Sequence, residues 1–170
     1  IDYQNMSEAE ERRHIAQAVR IHTEVVGQRP LGLYQGKPSP NTRRLCIEEG
    51  GFVYDADSYG DDLPYWVSHQ DKKHLVVPYT LDTNDMRFVT ASGFANGDQF
   101  YSYLKDAFDC LYEEGQTSPK MMSVGLHCRI VARPARIQAL DKFMSYVKQH
   151  ADVWVCRRID IANHWRSHHN

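Results

Sequence analysis

Apolar positions along the chain recur at helical spacing in some stretches and as short extended runs in others. Ser7-Glu8-Ala9-Glu10 has the form of a capping box. From there Ile15, Ala18, Val19, His22, Val25 and Val26 recur at helical spacing up to Gly27, which predicts a first helix. Residues 30–34 form a short extended run. Ser39-Pro40-Asn41 opens a second helix over 42–49, stopped by Gly50-Gly51. Residues 52–54 read as a strand, and 75–81 as a longer one in which Pro78 marks a bulge or an edge. Asp98 caps a helix over 99–114, ended by Gly115. Residues 121–126 read as a strand, Pro134 as the first turn of a helix running to His150, 153–155 as a last strand and 159–166 as a closing helix. The stretch 55–74, rich in Asp, Gly and Pro, reads as one long irregular loop of the kind that is often functional.

Helices alternating with short apolar strands predict an α/β fold with a mainly parallel sheet. A length of 170 residues fits one domain, 1–170. The first element is a helix with no strand before it, and the predicted strands make up only part of a barrel, which usually takes ~250 residues. The expectation is an incomplete (β/α) barrel. Either sequence upstream of Ile1 is missing, or a partner, such as a second copy in a homo-oligomer, covers the open sheet edge.

Charge narrows the function. Twenty Lys and Arg against 22 Asp and Glu leave a net charge of -2, without the basic excess of a nucleic-acid binder. No apolar run approaches the ~18–20 residues of a membrane span, and no signal peptide is visible at the start. Four cysteines, at 46, 110, 128 and 156, lack CxxC spacing, which excludes a zinc knuckle. Each sits in an apolar stretch, so all four are expected as buried, reduced thiols in a cytoplasmic protein.

Ligands of parallel α/β folds bind at the carboxyl ends of the strands. Consecutive predicted strand ends carry Gln35–Asn41, Asp55–Asp62, Asp82–Asp85, His127–Arg129 and Arg157–Asp160, which places polar groups on one rim. His127 directly follows an apolar strand, where an imidazole suits proton transfer with a carboxylate from Asp57 or Asp82 orienting its other ring nitrogen; a core-edge histidine bonded to a carbonyl is the alternative. Asp55, Asp57, Asp61 and Asp62 bind a metal, position a water or form a solvated turn. Asp82-Thr83-Asn84-Asp85 offers carboxylate and amide groups to a polar ligand, or an Asx-type turn. Arg129 has the best claim among the arginines to the rim, whereas Arg133, Arg157 and Arg158 suit surface ion pairs. Pro64, Tyr65 and Trp66 form a lid or part of the core, and the histidines of 164–169 carry no specific role.

Arg29-Pro30-Leu31-Gly32-Leu33-Tyr34, Ser39-Pro40-Asn41-Thr42-Arg43-Arg44, Tyr54-Asp55-Ala56-Asp57-Ser58-Tyr59, Asp61-Asp62-Leu63-Pro64-Tyr65-Trp66, Pro78-Tyr79-Thr80-Leu81-Asp82-Thr83-Asn84-Asp85 and Gly125-Leu126-His127-Cys128-Arg129 together resemble the carboxyl half of the PuuE-type allantoinases, within the polysaccharide deacetylase (NodB-homology) superfamily. The resemblance covers almost the whole chain. It implies a distorted (β/α) barrel of NodB type that hydrolyses non-peptide C–N bonds, opening the hydantoin ring of allantoin to allantoate in purine catabolism. His127 matches the family's general acid and Asp57 best matches the aspartate that tunes it. The loop 34–41, with Lys37 and Asn41, matches the motif that lines the pocket; Asp61, Asp82, Asn84 and Arg129 are the further substrate-binding candidates. No cofactor is implied for this branch, whereas sugar N-deacetylases of the chitin or peptidoglycan type hold a divalent metal such as zinc. The substrate is then allantoin or an N-acetylated sugar. Leu33, Lys37 and Gly60 stand where relatives commonly carry Trp, Arg and Asn, and Lys lacks the planar fork of Arg. The family's upstream motifs, which supply the base, are absent, so an inactive fragment needing its amino-terminal half is the rival expectation.

Overall fold

A computed structural model describes residues 2–169. Ile1 and Asn170, the ends of the 1–170 span expected for the domain, lie outside the described residues. Along the chain the elements are α1 (Glu8–Val26), β1 (Gly32–Leu33), α2 (Thr42–Glu49), β2 (Tyr54–Asp55), β3 (Tyr65–His69), β4 (Lys72–Val76), a 3-10 turn (Asp85–Val89), α3 (Gly97–Gly115), α4 (Cys128–Val131), α5 (Pro134–Val147) and α6 (Arg158–His168). They fall into two compact units: Ile1–Pro78 with Cys156–Asn170, and Tyr79–Val155.

The first unit holds the sheet, in the order β1-β2-β4-β3. β1 pairs β2 and β2 pairs β4 in parallel, Gly32 opposite Tyr54 and Tyr54 opposite Leu75. β3 returns antiparallel beside β4. The expected mainly parallel, unclosed sheet is therefore present. Because the three parallel strands share a direction, the residues that follow Leu33, Asp55 and Val76 lie along one edge of it. α1 begins at the Ser7–Glu10 capping box and ends at Gly27, whose φ of 80 is strained for a side-chain-bearing residue. Tyr3, Ile15 and Leu45 are buried together, with Met6 and Phe52 packed against them.

The stretch 55–74 is not one irregular loop, because it contains β3 and most of the β3–β4 hairpin. The strand expected over 75–81 starts earlier and ends at Val76, two residues before Pro78, which has no N–H to offer a ladder.

The second unit is helical. α3 packs on α5 around Phe94, Phe100, Leu104, Phe108, Val131, Ala139, Phe143 and Val147. The segments 121–126 and 153–155 form no strand; a single parallel bridge, Asn84 with Gly125, is what remains. α3 starts earlier than expected because Asn96, not Asp98, caps it by accepting the Gln99 amide. α5 opens on Pro134 and stops at Val147. Gly97 lets the two helices close in: a Cβ there would stand 2.7 Å from the Ala135 carbonyl oxygen. Gly97→Ala should therefore cost about 1–3 kcal/mol by overpacking, despite the better helix propensity of Ala; urea unfolding of the two proteins measures it.

The cysteine expectation needs correcting. Cys46 is buried, but Cys110 and Cys128 are exposed and Cys156 is intermediate; all four are free thiols. Cys110 lies on the outer face of α3, and Cys128 sits in the first turn of α4, so an apolar neighbour in sequence does not place either in a core.

Candidate active site

In the second unit the bridge between Asn84 and Gly125 brings Asp85 beside His127. The Asp85 amide donates to the Gly125 carbonyl at 2.9 Å, and the Gly125 amide to the Thr83 carbonyl at 2.9 Å. Gly125 is required by the closeness of this approach. A Cβ there would lie 2.2 Å from Asn84 Nδ2 and 2.8 Å from the Tyr79 hydroxyl. His127 then turns the chain into α4, its carbonyl accepting the Ile130 amide at 2.8 Å and the Val131 amide at 2.9 Å.

The Asp85 side chain is fully buried and grips His127 twice. Oδ1 lies 2.6 Å from His127 Nδ1, and Oδ2 accepts the His127 backbone amide at 2.8 Å. The ring contact fixes the side chain about its Cα–Cβ and Cβ–Cγ bonds. It also commits Nδ1, so Nε2 is the nitrogen left to carry a proton to or from a ligand. The imidazole is 28% exposed, which leaves one side of it reachable. The acid on the ring is thus Asp85, and neither Asp57 nor Asp82 fills that place.

Asn84, expected to meet substrate, is buried and internally bonded. Its Oδ1 accepts the Met86 amide at 2.9 Å, and its Nδ2 donates to the Thr80 carbonyl at 3.0 Å. It caps the 3-10 turn that starts with Asp85, and so positions the acid rather than a ligand. Asp82 remains exposed. It accepts a short hydrogen bond from the Tyr103 hydroxyl and stands 3.7 Å from Arg87 Nη1. Arg129 is exposed, with no hydrogen bond or ion pair among the described residues.

The first unit carries an acidic centre of its own at the carboxyl end of β2. Asp55 is buried and holds Arg43 in a two-point pair, Nε to Oδ2 at 3.0 Å and Nη2 to Oδ1 at 3.2 Å; His74 Nε2 lies 3.1 Å from Oδ2. Burial alone would raise the Asp55 carboxyl, but His74 and Arg43 more than offset it and hold it below the usual carboxylate value. Asp57 turns into the loop after β1 and accepts the Gln35 amide at 2.8 Å and the Gly36 amide at 2.7 Å. Burial raises its carboxyl despite those two amides. Asp57 therefore acts as a clamp on the loop 34–41. Glu11, fully buried on α1, holds the far end of the same loop through the hydroxyls of Ser39, at 2.6 Å, and Thr42. Between the clamps lies a cavity of about 180 Å³, lined by Leu33, Ser39, Arg43, Asp55 and Asp57 among others.

The other pocket candidates are spread along this unit. Asn41 Oδ1 accepts from Arg44 at 3.1 Å, and Lys37 is exposed and pairs with Asp2 at 3.5 Å. Asp61 is exposed and accepts the Leu63 amide at 3.1 Å, which is the solvated-turn arrangement. Tyr65 and Trp66 are strand residues of β3: the Tyr65 hydroxyl meets that of Ser58 at 2.7 Å, and Trp66 Nε1 donates to the His169 carbonyl at 2.5 Å. Sequence reasoning placed Asp85 in a run offered to a polar ligand but not on His127, and it gave no role to Arg43, His74 or Glu11. Glu11 had a visible signal, because it falls four residues before Ile15 on the apolar face of α1.

No family model matches the chain. It is nonetheless similar along nearly its whole length to proteins named as polysaccharide deacetylases and as an allantoinase. Two crystal structures superpose closely on 99% of it. One is a probable polysaccharide deacetylase from Pseudomonas aeruginosa PAO1, 62% identical with a TM-score of 0.96. The other is PuuE allantoinase, 60% identical with a TM-score of 0.97. A Schizosaccharomyces pombe protein that carries the polysaccharide deacetylase name provisionally is 40% identical over 186 residues, 99% of the chain. The chain spans 57% of each of those two structures and 58% of the yeast protein. No helix among the described residues is long and apolar enough to cross a membrane.

Proposed function

We propose that the chain carries the proton-donating side of a hydrolase that opens a cyclic ureide, allantoin, to the open-chain acid allantoate. The observation that supports this best is the His127–Asp85 pair, a partly exposed imidazole with one nitrogen held by a buried carboxylate, in a chain 60% identical to PuuE allantoinase. Water adds to the ring carbonyl and the C–N bond breaks. The electron pair stays on nitrogen, and His127 Nε2 delivers the proton that nitrogen needs. Asp85 holds the ring by Nδ1, which leaves Nε2 as the nitrogen that delivers it. The resemblance puts the base that activates water upstream of the motifs present here.

The similarity to the Pseudomonas protein supports a second reading, hydrolysis of the N-acetyl amide of an amino sugar with a bound zinc. Among the described residues no three His, Cys, Asp or Glu side chains gather as a metal set. The free thiols suit the reducing cytoplasm expected from the sequence.

The test is a substrate comparison on the full-length protein. Allantoin should be converted to allantoate, with no acetate released from N-acetylglucosamine oligomers. Acetate release that is lost with chelator would establish the second reading instead.

A further inference from the structure

We infer that Tyr103 and Arg87 are positioning residues that hold Asp82 as a fixed acceptor for an N–H group of the substrate ring. The inference rests on the ureide reading above and names the part of that site which would recognise the ureide. Asp82 is an exposed carboxylate, its side chain 65% accessible, on the segment that leads two residues later into Asn84 and the bridge carrying Asp85 to His127. An exposed aspartate with no fixed partners samples several rotamers. This one is held from two elements.

From α3, the Tyr103 hydroxyl donates to Oδ1. From the 3-10 turn, Arg87 Nη1 stands 3.7 Å from the same oxygen. The guanidinium itself lies over two rings that pack on each other, its Cζ 4.6 Å from the centre of Phe94 and 4.5 Å from that of Tyr103. Phe94 is held in turn by the amide that it donates to the Arg87 carbonyl at 2.9 Å. Both partners approach Oδ1, and no hydrogen bond or ion pair among the described residues engages Oδ2. An oxygen presented this way accepts from the N–H donors in which a cyclic ureide is rich. The arrangement also orders Asp82 before any ligand arrives, which spares the ligand that ordering cost.

The experiment uses the full-length protein with allantoin as the probe. It compares wild type, Tyr103→Phe, Asp82→Ala and the double variant. Tyr103→Phe removes one hydroxyl and keeps the ring that Arg87 stacks on. Its KM should rise about 5- to 10-fold with kcat within about twofold, the pattern of a lost binding contact. Asp82→Ala should raise KM further, and adding Tyr103→Phe to it should change nothing more. Thermal melting shows whether each variant is folded. If wild type turns over and Tyr103→Phe lowers only the melting temperature with KM unmoved, the triad is a structural strut and the inference is overturned. If additional loss appears in the double variant, Tyr103 does not act through Asp82. If wild type leaves allantoin intact, the ureide reading itself fails and this inference with it.

Discussion

His127→Ala should lower turnover of the full-length protein by about 10²–10⁴-fold while leaving it folded, the range expected when a general acid is removed. Asp85 would keep one of its two contacts, because the His127 backbone amide at 2.8 Å does not depend on the side chain. His127→Asn sharpens the result. An Asn amide is able to donate toward Asp85 in place of Nδ1 but has no proton to transfer, so its turnover should fall as far as that of His127→Ala with a smaller loss of stability. Steady-state rates and denaturant unfolding of the three proteins check both statements.

The second large effect is on stability. Asp55→Ala should destabilise the protein by about 3–5 kcal/mol, because it leaves Arg43 and His74 half-buried or buried without their shared anion. Arg43 also donates to the Asp57 carbonyl at 3.0 Å, so the disturbance reaches the loop clamp. The same group gives stability a pH dependence. Asp55 is held below its unfolded value, so the folded state binds fewer protons than the unfolded one between the two values. Its contribution is present above the unfolded carboxylate value and is lost as pH falls through the folded one. Asp57 has the opposite sign, since burial raises it. Its effect makes the folded state less stable as pH rises from the unfolded to the folded value. Urea midpoints of wild type and Asp55→Ala measured down from neutral pH should converge in acid.

Local chemistry made several elements readable. The capping box at Ser7 and the glycine at 27 mark both ends of α1, and Gly50-Gly51 the end of α2. The β3 strand was not readable for equally local reasons. Tyr65-Trp66-Val67-Ser68-His69 does not alternate apolar with polar, and the hairpin turns through Gln70, at a φ of 52, rather than through an Asn-Gly pair. The runs 121–126 and 153–155 are apolar enough for strands, but a strand needs a neighbour, and among the described residues only Gly125 finds one, through the single bridge to Asn84.

The site divides in the same way. His127 was legible from its place after an apolar run. Its acid was not, because the choice among Asp57, Asp82 and Asp85 is made by the register of the Asn84–Gly125 bridge, a contact across some forty positions that no local pattern encodes. Asn84 reads as a ligand group in isolation, and only burial shows that its amide is spent on the turn.

The central claim is that His127, held by Asp85, gives the departing nitrogen its proton. The most direct measurement compares the wild-type to His127→Ala rate ratio on allantoin with the ratio on a cyclic amide whose ring nitrogen is acidic enough to leave unprotonated. The ratio should collapse from hundreds or more, on the order expected for general acid loss, to near one on the activated ring. An equal loss on both rings would show that His127 serves some other step, and would contradict the account.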